Sequence, residues 1–116
     1  MITLKQLLKE SVLSDLSLLA GNAGLDNAVR AVSIMDAPDS HKWLKGGEFI
    51  LTTAFLFGGD EKLLEHFIMN LIEAGSGCLG IKKGRFLNKV PENVALLADQ
   101  KQFPIIEIPY RFGWSV

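Results

Sequence analysis

The 116-residue chain is predicted to fold as one α/β domain, in which a layered, mostly parallel sheet is flanked by helices. Two observations predict this class. Short apolar segments alternate with amphipathic segments between Glu48 and Ile108, in the order strand, helix, strand, helix, strand. Such an order implies right-handed crossovers between parallel strands. The length and the 48% apolar composition are those of a single globular unit, so we assign residues 1–116 to one domain.

The N-terminal part of the sequence predicts one short helix followed by two strands. Residues 3–9 are expected to form the helix, with the threonine at its start as the N-cap. Residues 16–20 and 28–35 are expected to form strands, because a turn-forming Gly-Asn-Ala-Gly segment separates them and the second one alternates in hydrophobicity. We expect Val32 and Ile34 to belong to the core of the sheet.

The middle of the sequence predicts the most buried strand. Asp39 is the expected cap of a short helix that ends at Lys45, where Gly46 can adopt the left-handed conformation that stops a helix. The apolar run Glu48–Thr53 has the β-branched content of a strand that is covered on both faces.

The C-terminal half predicts two helices and two further strands. An apolar stripe predicts a helix over residues 60–74, with Gly75 as its stop. Strands are expected at Cys78–Ile81 and Pro104–Ile108, and a helix at Pro91–Lys101. The expected core of these central and C-terminal strands consists of Phe49, Ile50, Leu51, Leu79, Ile81, Ile105 and Ile106.

Composition and motif content exclude several classes of function. The formal net charge of −1 gives no attraction for a phosphate backbone, so we expect no nucleic-acid binding by this segment alone. Cys78 is the only cysteine, and His41 and His66 lack metal-ligand spacing, so neither a disulfide nor a metal site is expected. No nucleophile–base pair or phosphate loop is evident, so we expect neither catalysis nor a cofactor. No stretch resembles a signal peptide or a membrane span, and we expect a cytoplasmic protein.

A candidate ligand site lies at the end of the predicted central strand. Ligands of open α/β sheets collect beyond the carboxyl ends of the strands, where Thr52 and Thr53 would present hydroxyl groups. Lys82 and Arg85 follow the next strand, and the Gly46–Gly47 turn would supply further contacts. Each feature also has a structural interpretation, because threonines suit strand ends, glycines stop helices and basic loops are solvated. The mixture favours a small polar ligand over a multiply charged one.

An ordered set of motifs covers nearly the whole chain. It includes WLKGGEFILTT at residues 43–53, EAG at 73–75, LGIKKGR at 79–85 and PIIEIP at 104–109. This set resembles the N-terminal domain of PucR-type purine-catabolism transcription regulators. The resemblance implies an effector-sensing or regulatory domain of a cytoplasmic regulator whose DNA contacts are made by a C-terminal helix-turn-helix. That motif is absent here, so the chain resembles an excised N-terminal piece.

The resemblance has departures and rivals. Asn27 stands where arginine is usual in the family, and Ala54 where glycine is common. The pattern is more distantly similar to the N-terminal domains of Mur ligases and HPr kinase, which would make the chain an accessory substrate domain of a ligase or kinase. A third hypothesis is a ligand-free interaction or dimerisation module. On the leading hypothesis the partners are a small polar metabolite, such as a purine-degradation intermediate, the other domains of the parent regulator and possible further copies of the chain.

Overall fold

A computed structural model describes residues 2–9, 16–35, 42, 44–52, 60–82 and 90–109. Its strands are β1 (Ile2–Thr3), β2 (Ser17–Ala20), β3 (Ala28–Val29), β4 (Ala31–Ile34), β5 (Glu48–Thr52), β6 (Cys78–Lys82) and β7 (Ile105–Ile108). Its helices are α1 (Leu4–Leu7), α2 (Glu61–Glu73) and α3 (Glu92–Gln100), with a 3₁₀ turn at Asn22–Gly24. None of the helices in these ranges is long and apolar enough to cross a bilayer.

The main sheet has five strands in the order β2-β7-β6-β5-β4. Strands β4 to β7 are parallel to their neighbours, and β2 pairs antiparallel with β7. The short strands β1 and β3 form a separate antiparallel pair. The predicted α/β domain with a mixed, mostly parallel sheet is therefore confirmed, and β6 lies at its centre. The distant similarity to Mur ligase and HPr kinase domains stays a prediction.

The two crossover helices begin and end near the predicted positions. The Asp60 carboxylate accepts hydrogen bonds from the amides of Lys62 and Leu63, both at 3.1 Å, and so caps α2. Gly75 follows α2 with a φ of +82°, the left-handed conformation expected of a helix stop. Pro91 precedes α3 as its N-cap residue.

The first helix is shorter than predicted. Thr3 and Gln6 form a reciprocal capping box, in which each side chain accepts from the other residue's amide. The helix ends at Leu7, however, with Leu8 as its C-cap. A single turn of helix gains little by itself, so α1 depends on the burial of Leu4.

Apolar side chains pack on both faces of the main sheet. On one face, Ile50, Leu79, Ile81 and Ile105 pack against the buried stripes of α2 and α3. The opposite face packs Phe49, Cys78 and Ile106 against Leu4 of α1 and Val29 of β3. All of the predicted core residues in β5, β6 and β7 are buried, except Leu51, which is half-buried.

The core prediction for β4 is wrong. Val32 and Ile34 are 61% and 51% exposed, because β4 is an edge strand and both side chains lie on the α1 face of the sheet, in register with Phe49 and Leu51. Met35, directly after the strand, is the residue that enters the core. Alternating hydrophobicity identified the strand but could not reveal that it would lie at the sheet edge.

The short helix predicted before β5 is also wrong at its C-terminal end. Leu44 and Lys45 are not helical, and the capping residue Asp39 lies outside the described residues. Gly46 does adopt a positive φ of +106°, but it does so in a turn that leads into β5.

Candidate functional site

Of the six predicted ligand contacts, the structure describes Gly46, Gly47, Thr52 and Lys82, and it places them at two opposite edges of the sheet. Gly46 and Gly47 precede β5, whereas Thr52 ends it. Since a strand rises about 3.3 Å per residue, the glycine turn and Thr52 lie roughly 16 Å apart, at opposite edges of the sheet. Lys82 ends β6 at the same carboxyl edge as Thr52, as predicted. Thr53 and Arg85 lie outside the described residues.

At the carboxyl edge, the predicted hydroxyl is not at the surface. The side chain of Thr52 is 1% exposed, and Lys82 is half-buried. Both residues are already engaged in interactions within the protein. A ligand at this edge would therefore depend on Thr53 and Arg85 or on movement of Thr52.

At the amino edge, Glu48 shapes the glycine turn. Its side chain is only 7% exposed, and its carboxylate accepts hydrogen bonds from the amides of Lys45 at 2.9 Å and Gly46 at 3.0 Å. These bonds fold the chain back over the start of β5, which explains why a turn replaces the predicted helix end. Glu48 is therefore a turn-stabilising carboxylate.

Gly47 connects this turn to its neighbours. The amide of Gly47 donates to the carbonyl of Gly75 at 2.8 Å, and its carbonyl accepts from the amide of Arg30 at 2.7 Å. Gly47 has a φ of +78°, and a Cβ at this position would lie 2.7 Å from Cδ of Arg30. The aliphatic stem of Arg30 thus packs directly over the glycine backbone, so a side chain at position 47 would force Arg30 to move.

A cleft opens where the amino ends of β5 and β6 meet the start of β3 and β4. We call it the amino-edge cleft. Its volume is about 350 Å³, and it is open to solvent. The lining residues are Asn27, Ala28, Arg30, Gly46, Gly47, Gly75, Ser76 and Gly77. Because four of them are glycines, the backbone itself forms much of the surface that a ligand would meet.

Two polar side chains in the amino-edge cleft differ in their bonding. The amide nitrogen of Asn27 donates to the carbonyls of Gly77 at 3.1 Å and Gln102 at 3.2 Å, so it ties together two loops. Ser76 is 8% exposed, and its hydroxyl oxygen is buried without a hydrogen-bond partner in the described part of the chain. A buried hydroxyl without a partner is costly, so Ser76 is the polar group in this cleft that most needs one.

In the described part of the cleft lining, the charge comes from the side chain of Arg30. Arg30 is exposed, and within the described residues its guanidinium has no ion pair. The carbonyl end of α2 also points here, but the carbonyls of Asn70, Leu71 and Ile72 accept hydrogen bonds from the following turn. Those bonds reduce the partial negative charge that a helix C-terminus would otherwise present.

The described part of the chain offers no reactive thiol and no metal-binding cluster next to the cleft. Burial raises the pKa of the Cys78 thiol far above its ordinary value, so the sulfur remains protonated and unreactive. Among the described residues, no three His, Cys, Asp or Glu side chains lie close enough to hold a metal ion. The arrangement can bind a small molecule by charge and hydrogen bonds, and binding is the chemistry that it supports.

Sequence reasoning missed Asn27, Arg30 and Ser76 as lining residues, although a signal was available. In a parallel sheet, the residues that precede adjacent strands meet at one edge. Gly46–Gly47 precede β5 and Gly75–Gly77 precede β6, so this rule places both glycine segments together at the amino edge.

Sequence comparison with known proteins identifies a family and a relative of this chain. A sequence model of the purine catabolism regulatory protein-like family, PucR, matches residues 6–116. The chain belongs to the PucR family. It is also 39% identical over 93 residues to the purine catabolism regulatory protein of Bacillus subtilis (strain 168). That alignment covers 80% of this PucR-family chain and 18% of the relative, so the chain spans about a fifth of the relative's length.

Proposed function

We propose that this chain is the effector-sensing, N-terminal regulatory domain of a cytoplasmic transcription regulator of purine catabolism. It binds a small polar metabolite, and binding changes how the remainder of the regulator acts. DNA is contacted by another part of the parent protein, and this domain catalyses no reaction.

The amino-edge cleft is the observation that supports sensing. Its volume of about 350 Å³ lies at the lower end of the range of small-molecule sites, which is about 300 to 1,000 Å³. The membership in the PucR family and the name of the Bacillus subtilis relative favour purine-degradation intermediates as effectors. The net charge of −1 argues against contact with DNA by the domain itself.

Thermal unfolding in the presence of a metabolite panel tests this function. A ligand that binds only the native state stabilises it by about 2.7 kcal/mol at one hundred times its dissociation constant, which raises the Tm by several degrees. We expect at least one purine-degradation intermediate to raise the Tm. Purine bases of similar size that enter no catabolic reaction should raise it less. A panel without any stabiliser would contradict effector sensing.

A specific observation favours a second candidate function, a ligand-free interaction module. Val32 and Ile34 are large apolar side chains exposed on an edge strand, next to the half-buried Leu51 on the same face. Edge strands with exposed apolar residues are prone to pairing with other chains. Sedimentation of the unsubstituted chain and the Val32→Lys variant over a range of concentrations tests this second function. Self-association lost in the variant, together with an inactive metabolite panel, would favour this function over sensing.

A further inference from the structure

We infer that the amino-edge cleft binds the carboxylate group of a small, singly charged metabolite, with Arg30 and Ser76 as the groups that recognise it. This inference rests on the proposed sensing function and adds the location of the site and the chemical class of the ligand. It departs from the usual position of ligands in open α/β sheets, which is the carboxyl edge.

The polar groups of the cleft define the class of ligand. Among the described lining residues, Arg30 carries the only charged side chain, and a guanidinium offers paired donors that match the two oxygens of a carboxylate. The acidic residue nearest in the turn, Glu48, directs its carboxylate to the amides of Lys45 and Gly46 and so does not neutralise Arg30. In the described part of the lining, one cation without a counter-charge favours a ligand with one negative charge over a ligand with two.

The hydroxyl of Ser76 is a second, independent observation at the same place. Ser76 lines the cleft, and its oxygen is buried without a partner among the described residues. Rotation of the Ser76 side chain toward the cleft would let a ligand oxygen accept from this hydroxyl, and so satisfy a group that the described residues leave unpaired. The donors of Arg30 and the hydroxyl of Ser76 both serve acceptor atoms, which is consistent with a carboxylate.

The glycine backbone explains how a ligand could approach. Gly46 and Gly75 face one another, since a Cβ on Gly46 would lie 3.8 Å from the carbonyl of Gly75. With no side chains between them, the ligand can lie against the peptide planes, beside the stem of Arg30 that packs on Gly47. At the carboxyl edge, by contrast, Thr52 is already engaged in interactions within the protein.

The test compares sodium acetate with acetamide, which has a similar shape and no charge, in titrations of the ¹⁵N-labelled chain followed by NMR. Acetate should give saturable shifts of the amide signals of Gly46, Gly47, Ser76 and Gly77, and acetamide should not. Arg30→Gln should raise the dissociation constant of acetate about tenfold, the effect of one charge-assisted hydrogen bond. Lys62→Gln removes an equally exposed positive charge at the far end of α2 and should leave the constant unchanged.

Three results would overturn the inference. Equal shifts with acetate and acetamide would show that charge is not recognised, and shifts that never saturate would show that no site exists. Shifts at Thr52 and Lys82 that disappear in Thr53→Val would place the site at the carboxyl edge instead.

The outcomes also separate this inference from the proposed function. If a metabolite stabilises the unsubstituted chain and the Arg30→Gln variant equally, the sensing function is supported, but the amino-edge cleft is excluded as the binding site. Specific acetate binding at Arg30, with no stabilising metabolite in the panel, would retain the carboxylate site and contradict sensing of a purine-degradation intermediate.

Discussion

The Glu48→Gln substitution should disrupt the turn that forms one side of the amino-edge cleft. Glu48 is 7% exposed, and its carboxylate accepts from two backbone amides at 2.9 and 3.0 Å. Hydrogen bonds to charged groups contribute about 1.5 to 3 kcal/mol each. Glutamine preserves the shape but places an amide donor against one of the two backbone donors. One bond is then lost and the other becomes neutral, so the free energy of unfolding should fall by about 2 to 3 kcal/mol.

Urea denaturation measures this effect as a lower midpoint with an unchanged m-value. Hydrogen exchange should also show reduced protection of the amides of Lys45 and Gly46. Glu73→Gln is the matched control, because Glu73 is exposed and its replacement should alter stability by less than about 0.5 kcal/mol. If Glu48→Gln were as mild as Glu73→Gln, the carboxylate would not determine the turn and the reasoning would be refuted.

Four further substitutions or conditions test the rest of the account. Ser76→Ala should leave the free energy of unfolding unchanged or raise it by about 1 kcal/mol, since it removes a buried hydroxyl without a partner; a clear loss in urea denaturation would reveal a missed hydrogen bond. Ile50→Ala should cost about 2 to 5 kcal/mol in the same assay, because the side chain is fully buried, and a cost below 1 kcal/mol would contradict its place in the core. Gly21→Ala should cost about 2 to 4 kcal/mol, because φ is +75° and a Cβ would collide with the Phe103 carbonyl; normal stability would show that this loop adjusts freely. The free energy of unfolding should fall by about 1.4 kcal/mol per pH unit above about pH 8.5. The reason is that the Cys78 thiol ionises in the unfolded chain, while its raised pKa keeps it protonated in the folded chain. Cys78→Ala should remove this slope, and a slope that survives in the variant would contradict the role of Cys78.

Much of the fold could be predicted because local signals agree with the tertiary structure. The stripe of α2, its cap at Asp60 and its stop at Gly75 are all written in neighbouring residues. The apolar runs of β5, β6 and β7 likewise predict strands buried on both faces. The parallel arrangement follows from the order of these elements.

The errors arise where interactions outside the local hydrophobic pattern decide the outcome. Val32 and Ile34 have core-like side chains, but their exposure depends on the place of β4 in the strand order. The turn at Gly46 depends on Glu48, whose carboxylate accepts hydrogen bonds from the amides of the preceding residues Lys45 and Gly46. Hydrophobic patterns do not reveal such hydrogen bonds.

The site was the least predictable part, because it combines segments far apart in sequence. Two predicted contacts, Gly46 and Gly47, do line the amino-edge cleft, but beside Arg30 and Ser76 rather than beside Thr52. Ligand contact by any of these residues remains a prediction. The strand-end rule considers only the edge at which the strands end, so it did not indicate that Gly46 and Gly47 lie at the opposite edge from Thr52.

Calorimetric titration of the best stabilising metabolite tests whether this domain binds its effector in the amino-edge cleft. The metabolite is titrated in parallel into the parent chain, Arg30→Gln and Lys62→Gln under the same buffer and salt conditions. We expect saturable binding to the parent chain and to Lys62→Gln with the same dissociation constant, and binding about tenfold weaker or absent in Arg30→Gln. Equal binding to all three proteins would contradict the claim that this domain senses its ligand through the amino-edge cleft.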